Sequence, residues 1–200
     1  PRATAGELVV EGDGLLLALP SEDEPSAVVT FEAEGWTLST DDESRVVSDG
    51  ESIDVDGTTY VLSLPSAVAG TIDATRQPSG VIPSLHFQVS ADEEYVEVTV
   101  DFGGETHRLP PRAHQYTLLV LARARLDDAQ NMPESEQGWV YTADLARQLR
   151  VTMNRLYVTL HRCRKELESV VEGAETTVIE KRVTTRQVRM GWASVAVRSL

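Results

Sequence analysis

Cysteine is almost absent: the single Cys163 in 200 residues excludes an internal disulfide and cannot by itself anchor a zinc site. Long apolar runs are missing too. Leu15–Leu19 and Leu118–Ala122 are the longest candidates, far short of the roughly 18 residues a membrane span needs. The start, Pro1–Val10, lacks a charged-then-apolar leader pattern, so a soluble cytoplasmic protein without membrane association is expected. Aromatic residues make up only 6%, but a hydrophobic content of 41% suffices for one large core or two small ones. No phosphate loop, nucleophile elbow or catalytic carboxylate pair stands in a recognisable context, which argues against an enzyme and against a cofactor.

Histidine is scarce and scattered. His86, His107, His114 and His161 fall on separate elements without partners at metal spacing, so no metal site is expected. Asp41-Asp42-Glu43 and Asp92-Glu93-Glu94 lack the calcium-loop pattern and read as solvated acidic turns.

Positive charge is also short overall, and the net −14 looks hostile to nucleic acid. Its distribution changes that reading. Residues 1–83 carry 16 acidic and 3 basic residues, whereas 84–200 carry 16 and 15. Within 109–200 there are 14 basic and 10 acidic residues, so an acidic front masks a locally basic rear.

The front alternates short apolar runs with turn clusters. Candidate strands are Glu7–Val10, Leu15–Leu19, Ala27–Glu32, Trp36–Ser39, Arg45–Val47, Ser52–Val55 and Thr58–Leu64. Turns fall at Gly12-Asp13-Gly14, Glu34-Gly35, Asp49-Gly50 and Asp56-Gly57, where glycine accepts a positive φ without steric cost. Seven short strands predict a small all-β sandwich or barrel over 1–65. Residues 66–83, with Gly70, Pro78 and Gly80, read as a linker on which Val81-Ile82 could dock to either neighbour.

Beyond it the class becomes α+β over 84–200. Strands Leu85–Val89, Tyr95–Asp101 and Glu105–Leu109 form an antiparallel sheet, stopped by Pro110-Pro111. From Arg112 the period becomes 3.6, predicting a helix over Ala113–Leu126. A polar loop and the extended Trp139-Val140-Tyr141 lead to Thr142, the expected cap of a second helix, Ala143–Leu149. Trp139 and Trp192 are expected to pack on the sheet side rather than to stack on bases.

The clearest signal is Met153–Val170. Met153, Leu156, Leu160, Cys163 and Leu167 share one stripe, while Arg155, Val158, Arg162 and Lys165 lie opposite, flanked by Asn154 and His161. Thr152 is its expected N-cap, and only Arg150-Val151-Thr152 separates it from the preceding helix. Two helices across so tight a turn make a helix-turn-helix, in which Arg reaches guanine, Asn reaches adenine and further cations meet phosphates. A basic exposed face is more often merely solvated, so the helix alone does not decide. A basic hairpin follows, Thr177–Arg182 and Arg186–Met190 around Val183-Thr184-Thr185, placed as a wing. The expected DNA contacts are Thr152, Asn154, Arg155, His161, Arg162 and Lys165 on the helix, with Arg182, Thr184, Thr185, Arg186 and Arg189 on the wing.

In this order of elements, residues 84–191 resemble the winged-helix output domains of OmpR/PhoB-type bacterial response regulators. Gly138-Trp139-Val140-Tyr141-Thr142, Leu160–Leu167 and Val178-Ile179-Glu180 carry the likeness. The tight turn before the third helix departs from the family, and no receiver domain precedes it, so aspartyl phosphorylation is not implied. Glu43–Pro65, with Asp49-Gly50-Glu51-Ser52-Ile53-Asp54-Val55, and Trp36-Thr37-Leu38 resemble the strands of forkhead-associated (FHA) domains. The family's phosphothreonine-reading set is missing. Arg45, the only basic residue from Ala3 to Ile72, is a lone anchor, and the acidic Pro20–Pro25 would repel phosphate. The resemblance therefore implies a degenerate FHA-like sandwich that binds protein or dimerises.

The combined expectation is a DNA-binding transcriptional regulator, whose acidic sandwich recruits a protein partner or folds over the basic helix. A homodimer would suit it, because one recognition helix reads only a few base pairs. The alternative is a non-enzymatic protein–protein adaptor whose winged helix no longer binds DNA.

Overall fold

A computed structural model describes residues 1–12, 15–32, 35–40, 43–65, 83–171, 178–182 and 184–200. The turns expected around Asp13-Gly14 and Glu34, the acidic pair Asp41-Asp42, the 66–82 linker, Thr177 and Val183 lie outside these residues. The fold is α+β, with fifteen strands and three helices among the described residues. Backbone contacts divide the chain into two compact units, 1–75 with 150–158, and 76–149 with 159–200.

The first unit contains two four-stranded antiparallel sheets. One has the order β2-β1-β8-β7, formed by β1 (Arg2–Ala5), β2 (Leu8–Glu11), β7 (Ser52–Val55) and β8 (Thr58–Ser63). The other runs β3-β4-β5-β6, formed by β3 (Leu16–Leu19), β4 (Ala27–Glu32), β5 (Gly35–Thr40) and β6 (Ser44–Val46). Alternate residues of both sheets meet in one core, where Leu17, Leu19, Val29, Trp36 and Leu38 pack with Ile53, Val55, Tyr60 and Leu62. Phe31 meets Trp36 edge to face at 5.3 Å, and the Trp36 indole N–H donates to the Pro65 carbonyl at 3.0 Å. The Asp56-Gly57 turn forms as the sequence requires: both residues have positive φ, 52° and 76°, in the two-residue loop joining β7 to β8.

β3 behaves differently from a strand with one wet face, since all four of its residues are buried. Leu17 and Leu19 enter the sandwich core. Leu16 and Ala18 point the other way and join Val28 of β4 in a second apolar cluster, completed by Val158 with Tyr157 packed against it. The unbroken Leu16–Leu19 run is thus the mark of a strand covered on both sides, with Leu15 before it exposed.

The second unit holds the sheet β11-β10-β9-β15, from β9 (Ser84–Val89), β10 (Val96–Phe102), β11 (Glu105–Arg108) and β15 (Ser194–Ser199). β15, a strand beyond the three expected for this sheet, pairs parallel to β9, with Val195 opposite Leu85 and Val197 opposite Phe87. Helix α1 (Gln115–Asp128) packs on β10, β15 and the β14 strand (Gln187–Met190). Leu118 to Ala122 are buried without a break, so this helix has no solvent stripe along that stretch. A second, three-stranded sheet has the order β12-β14-β13, from β12 (Val140–Tyr141), β14 and β13 (Ile179–Arg182). No helix among the described residues is long and apolar enough to cross a membrane.

Candidate nucleic-acid interface

Helices α2 (Thr142–Leu149) and α3 (Met153–Glu168) are joined by Arg150-Val151-Thr152. Arg150 takes a left-handed φ of 56°, which ends α2 where glycine more commonly stands. Thr152 caps α3 as expected: its Oγ1 accepts the Arg155 amide N–H at 3.2 Å. Thr142 does not cap α2. It is already the first helical residue, and both its amide and its hydroxyl donate to the Arg186 carbonyl, at 2.9 and 3.2 Å. That pair of bonds fastens the start of α2 to the β13–β14 hairpin instead.

The apolar stripe of α3 forms as predicted, with Leu156, Leu160, Cys163 and Leu167 buried and Met153 half-buried. The opposite face departs from expectation. Val158 is 1% exposed, and Asn154 is 0% exposed, with its amide N–H donating to the Ser26 carbonyl at 2.8 Å. The Arg155 guanidinium donates to the carbonyls of Glu22 and Asp23, both at 2.7 Å. Asn154, Arg155 and Val158 therefore belong to the first unit and are engaged by the 22–26 loop and the outer face of β3 and β4. Farther along, His161 and Arg162 are half-buried and Lys165 is exposed.

The hairpin also redistributes its expected contacts. Trp139 is flanked by two cations, with the Arg182 guanidinium carbon 4.1 Å and that of Arg189 4.5 Å from the ring centroid. Arg182 grips both oxygens of Glu136, at 2.8 and 3.0 Å. Arg189 pairs with Glu180 at 2.7 Å and donates to the carbonyls of Glu134 and Ser135. These two arginines bind the hairpin to the 3₁₀ turn Glu134–Glu136, with the Arg189 side chain 13% exposed and that of Arg182 36% exposed. Trp139 is thus a stacking platform for arginines, half-buried, whereas Trp192 is buried as expected. The hydrogen bonds from Arg182 are the first cause holding the Glu136 carboxyl below its ordinary pKa.

Residues 184–186 form the tip. Thr184, Thr185 and Arg186 are exposed, and Arg186 has a φ of 52°. Behind the hairpin, Arg125 of α1 is buried and donates to the Met190 carbonyl at 2.8 Å. Burial, then the neighbouring Arg189 charge, pushes its pKa down.

Arg45 does not offer an open anchor in the first unit. It bonds Glu51 at 2.5 Å, with Glu43 at 3.9 Å, and its hydrogen bond lowers the Glu51 pKa. A cleft of about 820 Å³ nearby in the chain's first unit is lined by Asp23, Glu24, Asp54 and Asp56 beside Arg150 and Arg155. Carboxylates outnumber guanidiniums there, an unsuitable setting for a phosphate.

Two histidines have acidic neighbours distant in sequence, His86 with Asp101 at 2.9 Å and His114 with Glu166 at 2.9 Å, and His107 lies 3.6 Å from Glu105, two residues before it. Each is a single pair, and no cluster suited to a metal occurs among the described residues. Glu93 is more than a solvated turn residue, since it accepts from Arg123 at 2.9 Å and from the Tyr116 hydroxyl at 3.1 Å, tying the β9–β10 turn to α1. No family model matches the chain, and comparisons with curated proteins and with solved structures also return no match.

Proposed function

We propose that the chain is a DNA-binding transcriptional regulator, with an FHA-like sandwich over 1–65 and a winged helix-turn-helix over 84–200. The observation that carries this reading is the sequence of α2, a three-residue turn, a Thr152-capped α3 and a hairpin whose tip exposes Thr184, Thr185 and Arg186. Arg162 and Lys165 supply cations on the helix, and Arg186 replaces Arg182 and Arg189 as the phosphate contact of the wing. Asn154 and Arg155 would read base edges only after leaving the carbonyls of Ser26, Glu22 and Asp23. The acidic sandwich then acts as a cover, and a protein partner that claims its outer β3–β4 face would release the helix.

One observation favours the alternative adaptor. An apolar side chain as well covered as Val158 resembles a permanent core contact, in which case the helix no longer meets DNA. Ala18→Glu in the full chain separates the two readings, because it charges the face packed on Val158 while leaving every residue of α3 unchanged. Losing the burial of one valine-sized contact, roughly 1.5–3 kcal/mol, raises the uncovered fraction by about 10–100-fold. Duplex affinity, measured by fluorescence anisotropy across a salt series, should rise by a similar factor and fall steeply with salt. Adding Arg186→Ala should weaken binding and reduce the salt slope by about 1. No binding above background by the Ala18→Glu chain at low salt refutes the regulator and leaves the adaptor.

A further inference from the structure

Among the described residues, the two edges of the β11-β10-β9-β15 sheet are built differently. β11 carries Glu105, His107 and Arg108 and runs into Pro110-Pro111, the charged and proline-bearing kind of edge that discourages further pairing. β15 reads Ser-Val-Ala-Val-Arg-Ser, with one charge and no proline.

The direction of its backbone groups follows from one hydrogen bond. The Leu200 N–H donates to the Val89 carbonyl at 2.9 Å, so Leu200 faces β9. Backbone polar groups alternate sides along a strand, so Arg198, Ala196 and Ser194 face β9 as well. Val195, Val197 and Ser199 then direct their N–H and C=O groups away from the sheet. Beside those groups, the Val195 and Val197 side chains are only half-buried, although their neighbours in register, Leu85 and Phe87, are fully buried.

The geometry points to β15 as a self-pairing edge: a second copy of this chain adds its own β15 in antiparallel register across a two-fold axis. This inference is independent of DNA binding. A two-fold pairing is self-complementary, because each outward donor in the overlap meets an acceptor at the symmetry-related position. Centring the axis on Ala196 sets each Val195 against Val197 of the second copy, so both half-buried valines gain cover. The same register places each Arg198 opposite Ser194 of the second copy, at the two ends of the contact, which keeps the like charges apart. Ala196 then faces its own symmetry mate in a pair without mutual hydrogen bonds, where Cα atoms approach to about 4.5 Å.

Sedimentation velocity of the full chain, over roughly 5–200 µM as befits a contact below the standard interface size, should show a concentration-dependent dimer. Val197→Pro removes an outward N–H and spares the β9 ladder, and Val195→Lys adds a charge at the contact. Each variant should be monomeric throughout, with far-ultraviolet circular dichroism like that of the parent and a cooperative urea transition. Thr106→Lys on β11 should leave the dimer intact. Ala196→Cys should give a disulfide-linked dimer under a mild thiol oxidant, the buried Cys163 being the only other thiol. A chain that stays monomeric at every concentration overturns the proposal. So does a dimer that survives both substitutions, or one that Ala196→Cys fails to cross-link.

Discussion

Replacing Gly138 by alanine would place a methyl group 2.8 Å from Cβ and 3.0 Å from Cα of Arg125. The Cα belongs to the backbone of α1, so it cannot swing aside as a side-chain tip would. Gly138 also has a φ of +75°, a conformation that costs an L-residue roughly 1–2 kcal/mol. Overpacking against a fixed neighbour adds about 1–3 kcal/mol, giving roughly 2–5 kcal/mol in all. Gly103 is the natural control. Its φ is +61°, but a Cβ there meets nothing within 4 Å, so Gly103→Ala should cost only the backbone share. Both variants would be unfolded in urea as full chains, with the Trp139 indole followed by NMR so that the transition reports on the second unit. The Gly138→Ala midpoint should drop well below that of Gly103→Ala. If the two lose the same stability, the close approach of the 138 backbone to α1 is wrong.

Acid should loosen the hairpin clamp. Hydrogen bonds from Arg182 hold the Glu136 carboxyl below its ordinary pKa, so the pair's contribution is present above the unfolded value of about 4.3 and is lost as pH falls through the lower folded value. The Trp139 indole resonance should therefore shift below about pH 4, and Glu136→Gln should remove that transition; an identical titration in the variant would disprove the link. Cys163 should resist thiol reagents, because burial first and the Glu166 charge second push its pKa up. Reaction with an aromatic disulfide at pH 8 should wait for denaturant, and prompt labelling of the native chain would contradict its buried position.

What the sequence made legible was local. The Met153, Leu156, Leu160, Cys163 and Leu167 stripe needs only helical periodicity, and Asp56-Gly57 needs only turn chemistry. β1 and β15 were missed for a common reason. Arg2–Ala5 has only small side chains after Arg2 and little alternation, and it sits as a central strand between the adjacent Leu8–Glu11 and Thr58–Ser63 far along the chain. Ser194–Ser199 likewise depends on β9, more than a hundred residues earlier. Charge patterning could not show the partners of Arg182 and Arg189, because Glu136 and Trp139 reach them only across the folded unit. The cover on Val158 did leave a signal. Leu15–Leu19 is apolar at consecutive positions, which a strand with one solvated face has no reason to be.

That doubly apolar strand has a consequence for synthesis. The sandwich is complete in sequence by Pro65, but Val158, which seals the Leu16, Ala18 and Val28 face, emerges 93 residues later. At about 5–20 residues per second, the ribosome leaves that face uncovered for roughly 5–20 s. The charge of −13 over residues 1–83 supplies mutual repulsion among nascent chains during that interval. That repulsion is expected to slow association of nascent chains while the face is uncovered.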